Sequence, residues 1–232
     1  FFAQWPRVIP YPVTITVGEP VSATTSSFEL RQIVTNLGVG AFHYRLNPKK
    51  TLSELFMDQM RRRPFAFAIA DSTGKKLNAL MVAIMSLALR KTLARHSQEG
   101  EMIGVLLPPS IAGVLVNVSL GMIERVAVNI NYTQSSQAMA SILQQTQMKQ
   151  IITSRQFLEK LNIQLNVKMI YVEDLLKEIS IGDYAKAFFL SLICPRFLSH
   201  RIIFGFSQQQ KIQQLATVMF TSGSTGNPKG VE

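Results

Sequence analysis

The chain has 232 residues, of which 47% are apolar, so it can fill the core of a large domain and its composition excludes the disordered class. Its one cysteine, Cys194, excludes an internal disulfide framework and a cysteine-based metal site, and three scattered histidines do not form a zinc pattern. A net charge of +10 favours an anionic partner, whether nucleic acid, an acidic carrier protein or anionic phospholipid, without choosing among them.

The N-terminal segment combines a predicted strand with a predicted helix. Apolar and polar residues alternate over residues 13–17 and are followed by Gly-Glu-Pro, which is typical of an edge strand with its turn. Apolar residues share one helical face over residues 28–37, and Gly38 and Gly40 predict the end of that helix. A new unit begins around Asn47 and Pro48, so we place a domain boundary between residues 46 and 47.

The new unit opens with a helix over residues 52–62, a strand pair that turns at 71–74, and a long helix over 77–96. Residues 102–123 carry no charge, and on length alone this run qualifies as a membrane span. Pro108 and Pro109 interrupt it. The pattern therefore favours a strand over residues 102–107 and a helix capped by Ser110.

From residue 101 onward, apolar strands alternate with helices, which predicts parallel strands joined by right-handed crossovers. The predicted strands cover residues 101–108, 125–130, 149–154 and 167–172, and the predicted helices cover 110–122, 135–147 and 155–161. The sequence thus predicts an α/β fold with an incomplete doubly wound, mainly parallel sheet, in which ligands bind beyond the carboxyl ends of the strands. We interpret Glu173 and Asp174 as the cap of the next helix.

A second apolar segment covers residues 187–194, between Lys186 and Arg196. It is too short to cross a bilayer. The sequence leaves two alternatives open for it: an interfacial segment on a membrane, or burial against the sheet.

The most specific pattern is Thr-Ser-Gly-Ser-Thr-Gly-Asn-Pro-Lys-Gly at residues 221–230, directly after a strand predicted over 215–220. Glycines let backbone N–H groups approach an anion, hydroxyls donate hydrogen bonds and lysine adds charge, which together suit a polyphosphate. The Walker A spacing is absent, because Pro228 stands where that loop needs glycine and Gly230 stands where it needs a hydroxyl. The candidate phosphate-binding residues are Thr221, Ser222, Gly223, Ser224, Thr225, Gly226, Lys229 and Gly230.

This decapeptide resembles the signature loop of adenylate-forming enzymes, the superfamily of acyl-CoA synthetases, luciferases and nonribosomal-peptide adenylation domains. Residues 103–110, 129–133 and 151–154 are similar to that family as well. The resemblance implies ATP and Mg²⁺ as cofactors, with the metal held by ATP oxygens and by carboxylates beyond residue 232, so no metal ligand is assigned here. It also implies that Lys229 and Thr221 take part in forming acyl-AMP from a carboxylate and ATP.

Within the family, residues 131–133, 152–160 and 171–175 resemble bacterial bifunctional acyl-[acyl-carrier-protein] synthetase / 2-acylglycerophosphoethanolamine acyltransferases. The opening segment is similar to the end of a glycerolipid acyltransferase domain, although the acyltransferase motif His-x-x-x-x-Asp is absent from this chain. The resemblance implies that residues 1–46 are an acyltransferase tail with its linker. It makes residues 47–232 the N-terminal part of an AMP-binding domain, truncated after the loop.

The implied partners are a fatty acid, acyl carrier protein or CoA as the thiol acceptor, a lysophospholipid bound by the acyltransferase domain, and an anionic membrane surface. The implied location is the cytoplasmic face of a bacterial inner membrane. Nucleic acid is not expected, because the basic clusters lack interleaved aromatic residues. Two alternatives stay open: a stand-alone fatty acyl-CoA synthetase and a noncatalytic basic module at a membrane surface. Since the chain stops two residues past the loop, we expect a fragment without activity of its own.

Overall fold

The computed structural model describes residues 14–45, 50–161, 165–205, 215–221 and 228–231. The chain separates into two compact units, Phe1–Lys49 and Lys50–Glu232, and each is described by itself. The assignment of the first unit to an acyltransferase domain stays a prediction.

The first unit contains one long helix, α1, Ser27–Arg45. Ser26 and Glu29 cap its start reciprocally: Ser26 Oγ accepts from the Glu29 N–H at 3.3 Å, and the Glu29 carboxylate accepts from the Ser26 N–H at 3.1 Å. The predicted helix end at Gly38 and Gly40 is wrong, because a glycine costs about 1 kcal/mol in a helix interior but keeps its backbone hydrogen bonds. The predicted strand is also wrong for residues 14–17, which pair with no strand in the part of the chain that the structure describes.

Two helices and a hairpin open the second unit, as predicted: α2 Leu52–Arg62, β1 Phe67–Ala70, β2 Lys76–Asn78 and α3 Ala79–His96. A capping box starts α2, with the Thr51 hydroxyl accepting from the Glu54 N–H at 3.3 Å and the Glu54 carboxylate accepting from the Thr51 N–H at 2.6 Å. The Asn78 side-chain oxygen, Oδ1, caps α3 by accepting from the Met81 N–H at 2.8 Å. The hairpin turns through Gly74, whose φ of +79° lies in the left-handed region that favours glycine.

The main sheet has six strands in the order β6-β5-β3-β4-β7-β8. All neighbouring strands are parallel except β7 and β8, which form an antiparallel pair at one edge. The α/β fold with a mainly parallel sheet is therefore confirmed. The strands are β3 Met102–Leu106, β4 Val126–Asn129, β5 Gln150–Thr153, β6 Lys168–Tyr171, β7 Thr217–Thr221 and β8 Lys229–Val231.

Helices cover both faces of this sheet. The larger core lies between one face and α2, α3, α4, α7, α8 and α9, and the smaller core lies between the other face and α5 with α6. The bounds are α4 Ile111–Met122, α5 Ser136–Thr146, α6 Arg155–Leu161, α7 Val172–Lys177, α8 Ile181–Phe188, a π-helical turn Phe189–Ile193, and α9 Arg196–Phe204.

The uncharged run of residues 102–123 forms β3 and α4, as predicted, and is broken between them by the two prolines. Ser110 caps α4, because its hydroxyl accepts from the Gly113 N–H at 3.2 Å. Among the described residues, none of the helices combines the length and the apolar character that crossing a bilayer requires.

The winding direction of the sheet reverses at β3 and β4. The connection from β3 to β4 runs through α4 on one face, whereas the connection from β4 to β5 runs through α5 on the other face and passes β3. The loops after β3 and β4 therefore leave toward opposite faces, a topology that predicts a crevice between them at the carboxyl edge. Ligands of doubly wound sheets bind in such a crevice.

Candidate functional site

Strand β7 delivers the candidate phosphate loop to the carboxyl edge of the sheet, directly beside β4. In the parallel ladder, Val128 pairs with Val218 and Asn129 pairs with Met219. Strand β7 then continues to Thr221, so the loop begins level with the segment that leaves β4. The loop therefore lies at the carboxyl edge and next to β4, where the reversal of winding direction predicts the ligand crevice.

Thr221 and Lys229 stand opposite each other at the mouth of the loop. Strand β8 returns antiparallel to β7 and pairs Thr221 with Lys229 and Phe220 with Gly230. The Thr221 hydroxyl donates to the Lys229 backbone oxygen at 3.4 Å. Because the side chains of a directly opposed pair project from the same face of a sheet, the Thr221 hydroxyl and the Lys229 ammonium share one face.

The far end of the loop is held by α5. Pro228 is buried, and its carbonyl oxygen accepts a hydrogen bond from the Gln145 side-chain amide at 3.2 Å. Gly230 lies over Phe220, and a Cβ at Gly230 would meet that ring at 3.4 Å, an ordinary contact. The other candidate residues lie outside the described part of the chain: Ser222, Gly223, Ser224, Thr225 and Gly226.

A polar cluster of Asn117, Asn129 and Thr217 ties the loop-bearing strand to the centre of the sheet. The Asn117 and Asn129 amides bond to each other twice, at 3.0 and 2.9 Å, and Asn129 Nδ2 also donates to Thr217 Oγ1 at 3.3 Å. Thr217 Oγ1 in turn donates to the Ala127 backbone oxygen at 2.7 Å. Side chains alternate along a strand, so Thr217 and Thr221 project from the same face, the face that α4 covers.

Sequence reasoning did not identify this cluster as part of the site. The available signal was an asparagine inside an otherwise apolar helix and a second one at the end of an apolar strand. Such residues need hydrogen-bond partners when buried, and here they satisfy each other.

The segment after β4 folds as a turn. Thr133 donates both its N–H and its hydroxyl to Asn131 Oδ1, at 3.0 and 2.8 Å, which is the pattern of an Asx-turn. Tyr132 packs edge-on against Phe157 with ring centroids 5.2 Å apart. These contacts give the turn beside the loop a fixed shape.

The interpretation of Glu173 and Asp174 as the cap of the next helix is wrong. Tyr171 stands at the N-cap of α7 and makes no side-chain cap bond. Glu173 Oε1 instead accepts from the Ser154 hydroxyl at 2.8 Å and from the Arg155 N–H at 3.0 Å, so it caps α6. Because β5 and β6 are parallel neighbours, an acid that follows β6 can reach the helix start that follows β5.

Arg155 is occupied by structural contacts. Its guanidinium donates to both Asp174 oxygens, at 2.9 and 2.5 Å, and lies 4.2 Å from the centroid of the Tyr171 ring. The hydrogen bonds from Arg155 lower the pKa of the Asp174 carboxyl below its ordinary value. This arginine therefore joins the loops after β5 and β6.

The described part of the site suits a phosphate anion more than a metal ion. A hydroxyl donor and an ammonium stand together at the open edge, and both residues are exposed. Among the described residues there is no group of three or more His, Cys, Asp or Glu side chains that could hold a metal.

A family model described as AMP-binding enzyme matches residues 56–232. A long-chain-fatty-acid–CoA ligase, ACSBG2 of Rattus norvegicus, is 27% identical over 194 residues, which cover 78% of this chain and 28% of the ligase. The PKS-NRPS hybrid synthetase psoA of Aspergillus fumigatus is 24% identical over 212 residues, which cover 90% of this chain and 5% of the synthetase. The chain thus spans less than a third of the length of these relatives.

Solved structures show the same fold at low identity. The N-terminal subdomain of Klebsiella oxytoca NpsA matches with a TM-score of 0.57 and 17% identity, over 78% of this chain and 41% of that one. The o-succinylbenzoate CoA synthetase MenE of Bacillus subtilis in complex with AMP matches with a TM-score of 0.56 and 23% identity, over 76% and 40%. The family model covers most of the chain, and the fold agrees with it. The chain therefore belongs to the AMP-binding enzyme family.

Proposed function

We propose that this chain is part of an acyl-adenylate-forming ligase and that its β7–β8 hairpin binds the polyphosphate of ATP. The observation that carries this proposal is the pairing of Thr221 with Lys229 at the carboxyl edge, beside the crevice where the sheet reverses direction. Family membership supports it, and a related structure, MenE of Bacillus subtilis, is described in complex with ATP and magnesium.

The proposed reaction has two steps, and negative charge develops on phosphate oxygens in both. A carboxylate oxygen of the acid bonds to the α-phosphorus of ATP, and the bond to the bridging oxygen breaks to release pyrophosphate. The sulfur of a thiol then bonds to the acyl carbon of acyl-AMP, the bond from that carbon to the phosphate oxygen breaks, and AMP and the thiol proton are released. The Lys229 ammonium would hold the phosphate oxygens, joined by the Thr221 hydroxyl once its proton turns from the Lys229 backbone oxygen toward them, and Mg²⁺ bound with ATP would neutralise part of their charge. Losing one such donor costs about 10²–10³ in rate.

For the substrates, we propose a fatty acid and the thiol of acyl carrier protein. The fatty acid is supported by similarity to a long-chain-fatty-acid–CoA ligase. The acidic carrier is supported by the net charge of +10. The N-terminal resemblance supports transfer to a lysophospholipid by an acyltransferase domain, at the cytoplasmic face of a bacterial inner membrane. A fatty acyl-CoA synthetase is the second candidate, favoured by the same relative.

Product analysis separates these candidates. The full-length protein is supplied with ATP, Mg²⁺ and a long-chain fatty acid, first with hydroxylamine to trap acyl-AMP and then with either acyl carrier protein or CoA. The proposal expects acyl hydroxamate in the first reaction and thioester with the carrier in the second. Thioester with CoA only would select the second candidate, and the absence of hydroxamate would refute adenylation.

A further inference from the structure

The segment formed by α8 and the π-helical turn carries four large apolar side chains into solvent. Phe188, Phe189, Leu192 and Ile193 are 40%, 48%, 42% and 59% exposed. Their spacing of one and four residues places them on one side of the helical segment. We call these four residues the apolar face. Phe197, which is 77% exposed, follows at the start of α9.

The opposite side of the same segment is buried and fixed. Ala187, Leu190 and Cys194 lie in the larger core. The sequence left two alternatives open for residues 187–194, and the structure shows a buried side and an exposed side.

Arg61 of α2 holds this orientation. Its guanidinium donates to the backbone oxygens of Ser191 at 2.8 Å, Leu190 at 3.1 Å and Cys194, and to the Ser199 hydroxyl at 2.6 Å. Rotating the segment to bury the apolar face would break these bonds to a charged donor, and hydrogen bonds to charged groups are stronger than those between neutral groups. The exposure of the four side chains is therefore built into the fold.

Positive charge accompanies the apolar face. Residues 181–205 contain the cations Lys186, Arg196 and Arg201 and the single acid Asp183, so three minus one gives a net charge of +2 without histidine. The Asp183 carboxylate is already bonded to Lys91 Nζ at 2.5 Å, and the Arg196 guanidinium is bonded to the Asp58 carboxylate, with Nε donating to Oδ1 at 2.8 Å, which offsets the charge of Arg196. Lys186 is exposed next to the apolar face. Arg62 and Arg63, both exposed, follow the arginine that holds the segment. The surroundings of the apolar face therefore favour an anionic partner.

We propose that the apolar face inserts into the interface of an anionic phospholipid bilayer, with the neighbouring cations on the lipid phosphates. Phenylalanine and aliphatic side chains on one side of a short helical segment, flanked by lysine and arginine, have the chemistry of an interfacial anchor. The inference deepens the proposed lipid chemistry, since it keeps the ligase beside a lysophospholipid substrate. It concerns a surface distinct from the β7–β8 hairpin, so it can fail separately from the proposed adenylation.

Vesicle co-sedimentation tests this surface. The chain is mixed with vesicles of phosphatidylglycerol and phosphatidylcholine, or of phosphatidylcholine only, at low and high salt. We expect binding to the anionic vesicles that weakens with salt, because the cations act through a screened attraction. The double variant with Phe188→Ser and Phe189→Ser should bind these vesicles at least about tenfold more weakly than the parent chain. Each half-exposed ring that is replaced loses the free energy of its transfer into lipid.

A matched control uses two other exposed phenylalanines. Phe28 and Phe42 of α1 are 67% and 62% exposed, and the pair Phe28→Ser with Phe42→Ser should keep vesicle binding. Unchanged binding in the Phe188/Phe189 pair, or an equal loss in the control pair, would overturn the proposal. ATP–pyrophosphate exchange with a soluble acid, measured in the full-length protein carrying either pair of substitutions, should equal that of the full-length parent.

A tryptophan at Ile193 gives a readout that does not depend on losing a side chain. Ile193→Trp should emit as an exposed indole in buffer and shift to the blue with anionic vesicles, relative to the parent chain. An emission that is already blue without lipid would mean that a second copy or another segment covers the face. A shift with acyl carrier protein and none with vesicles would assign the face to a protein partner, and either result would contradict the proposal.

Discussion

Replacing Asn129 by alanine should loosen the strand that carries the candidate phosphate loop. The Asn129 amide makes two hydrogen bonds with Asn117 and one with Thr217. At about 1 kcal/mol for each half-buried bond, Asn129→Ala should lower the free energy of unfolding by about 2–3 kcal/mol. Amide exchange in residues 217–221 should speed up, because Thr217 loses its donor from β4.

A double-mutant cycle with Asn117→Ala isolates the shared bonds. Each single variant already breaks the two bonds between the amides, so the double variant should be less destabilised than the sum by about 1–2 kcal/mol. Urea unfolding at constant m-value measures these differences. Asn166→Ala, an exposed asparagine before β6, is the control and should change stability by less than about 0.5 kcal/mol. Additivity of the two single variants within about 0.5 kcal/mol would refute the reasoning.

Three further changes test the packing and electrostatics of the second unit. Gly104→Ala would place a Cβ 2.7 Å from Ile151 Cγ1 between two central strands, so thermal unfolding should show a loss of about 1–3 kcal/mol. Hydrogen bonds from Lys91 and from the Ser180 hydroxyl and N–H lower the pKa of Asp183 from 3.8 to about 2, so stability that is present above pH 4 should be lost as the pH falls toward 2. In the variant Asp183→Asn, the urea midpoint should change less between pH 4 and pH 2 than it does in the parent chain. Ser110→Ala removes the cap of α4 and should cost about 1 kcal/mol in the same urea assay.

The sheet and its helices could be predicted because their signals are local and repeat along the chain. Buried parallel strands appear as short apolar runs, and residues such as Ser110 and Thr51 mark helix starts. The predicted end at Gly38 failed because glycine lowers helix stability without removing a hydrogen bond. The predicted strand failed over residues 14–17 because alternation indicates a face, whereas a strand also needs a partner, and these residues have none among the described strands.

The site was only partly predictable, because its contacts join residues far apart in the chain. The loop was visible as ten consecutive residues, and the strand before it predicted its place at the carboxyl edge. The bonds among Asn117, Asn129 and Thr217 depend on which strands become neighbours, and β7 joins β4 after a long connection. Glu173 likewise caps a helix that precedes it by about one βα unit. No local pattern reports such a contact.

Fatty-acid-dependent ATP–pyrophosphate exchange by the full-length protein tests the central claim, that the β7–β8 hairpin holds the phosphates of ATP. Lys229→Ala and Thr221→Val should each lower exchange by about 10²–10³ while the urea midpoint stays unchanged, because both side chains are exposed. Lys168 is another exposed lysine and starts β6 at the opposite edge of the sheet, so Lys168→Ala should keep full exchange. Undiminished exchange in both hairpin variants would contradict the account.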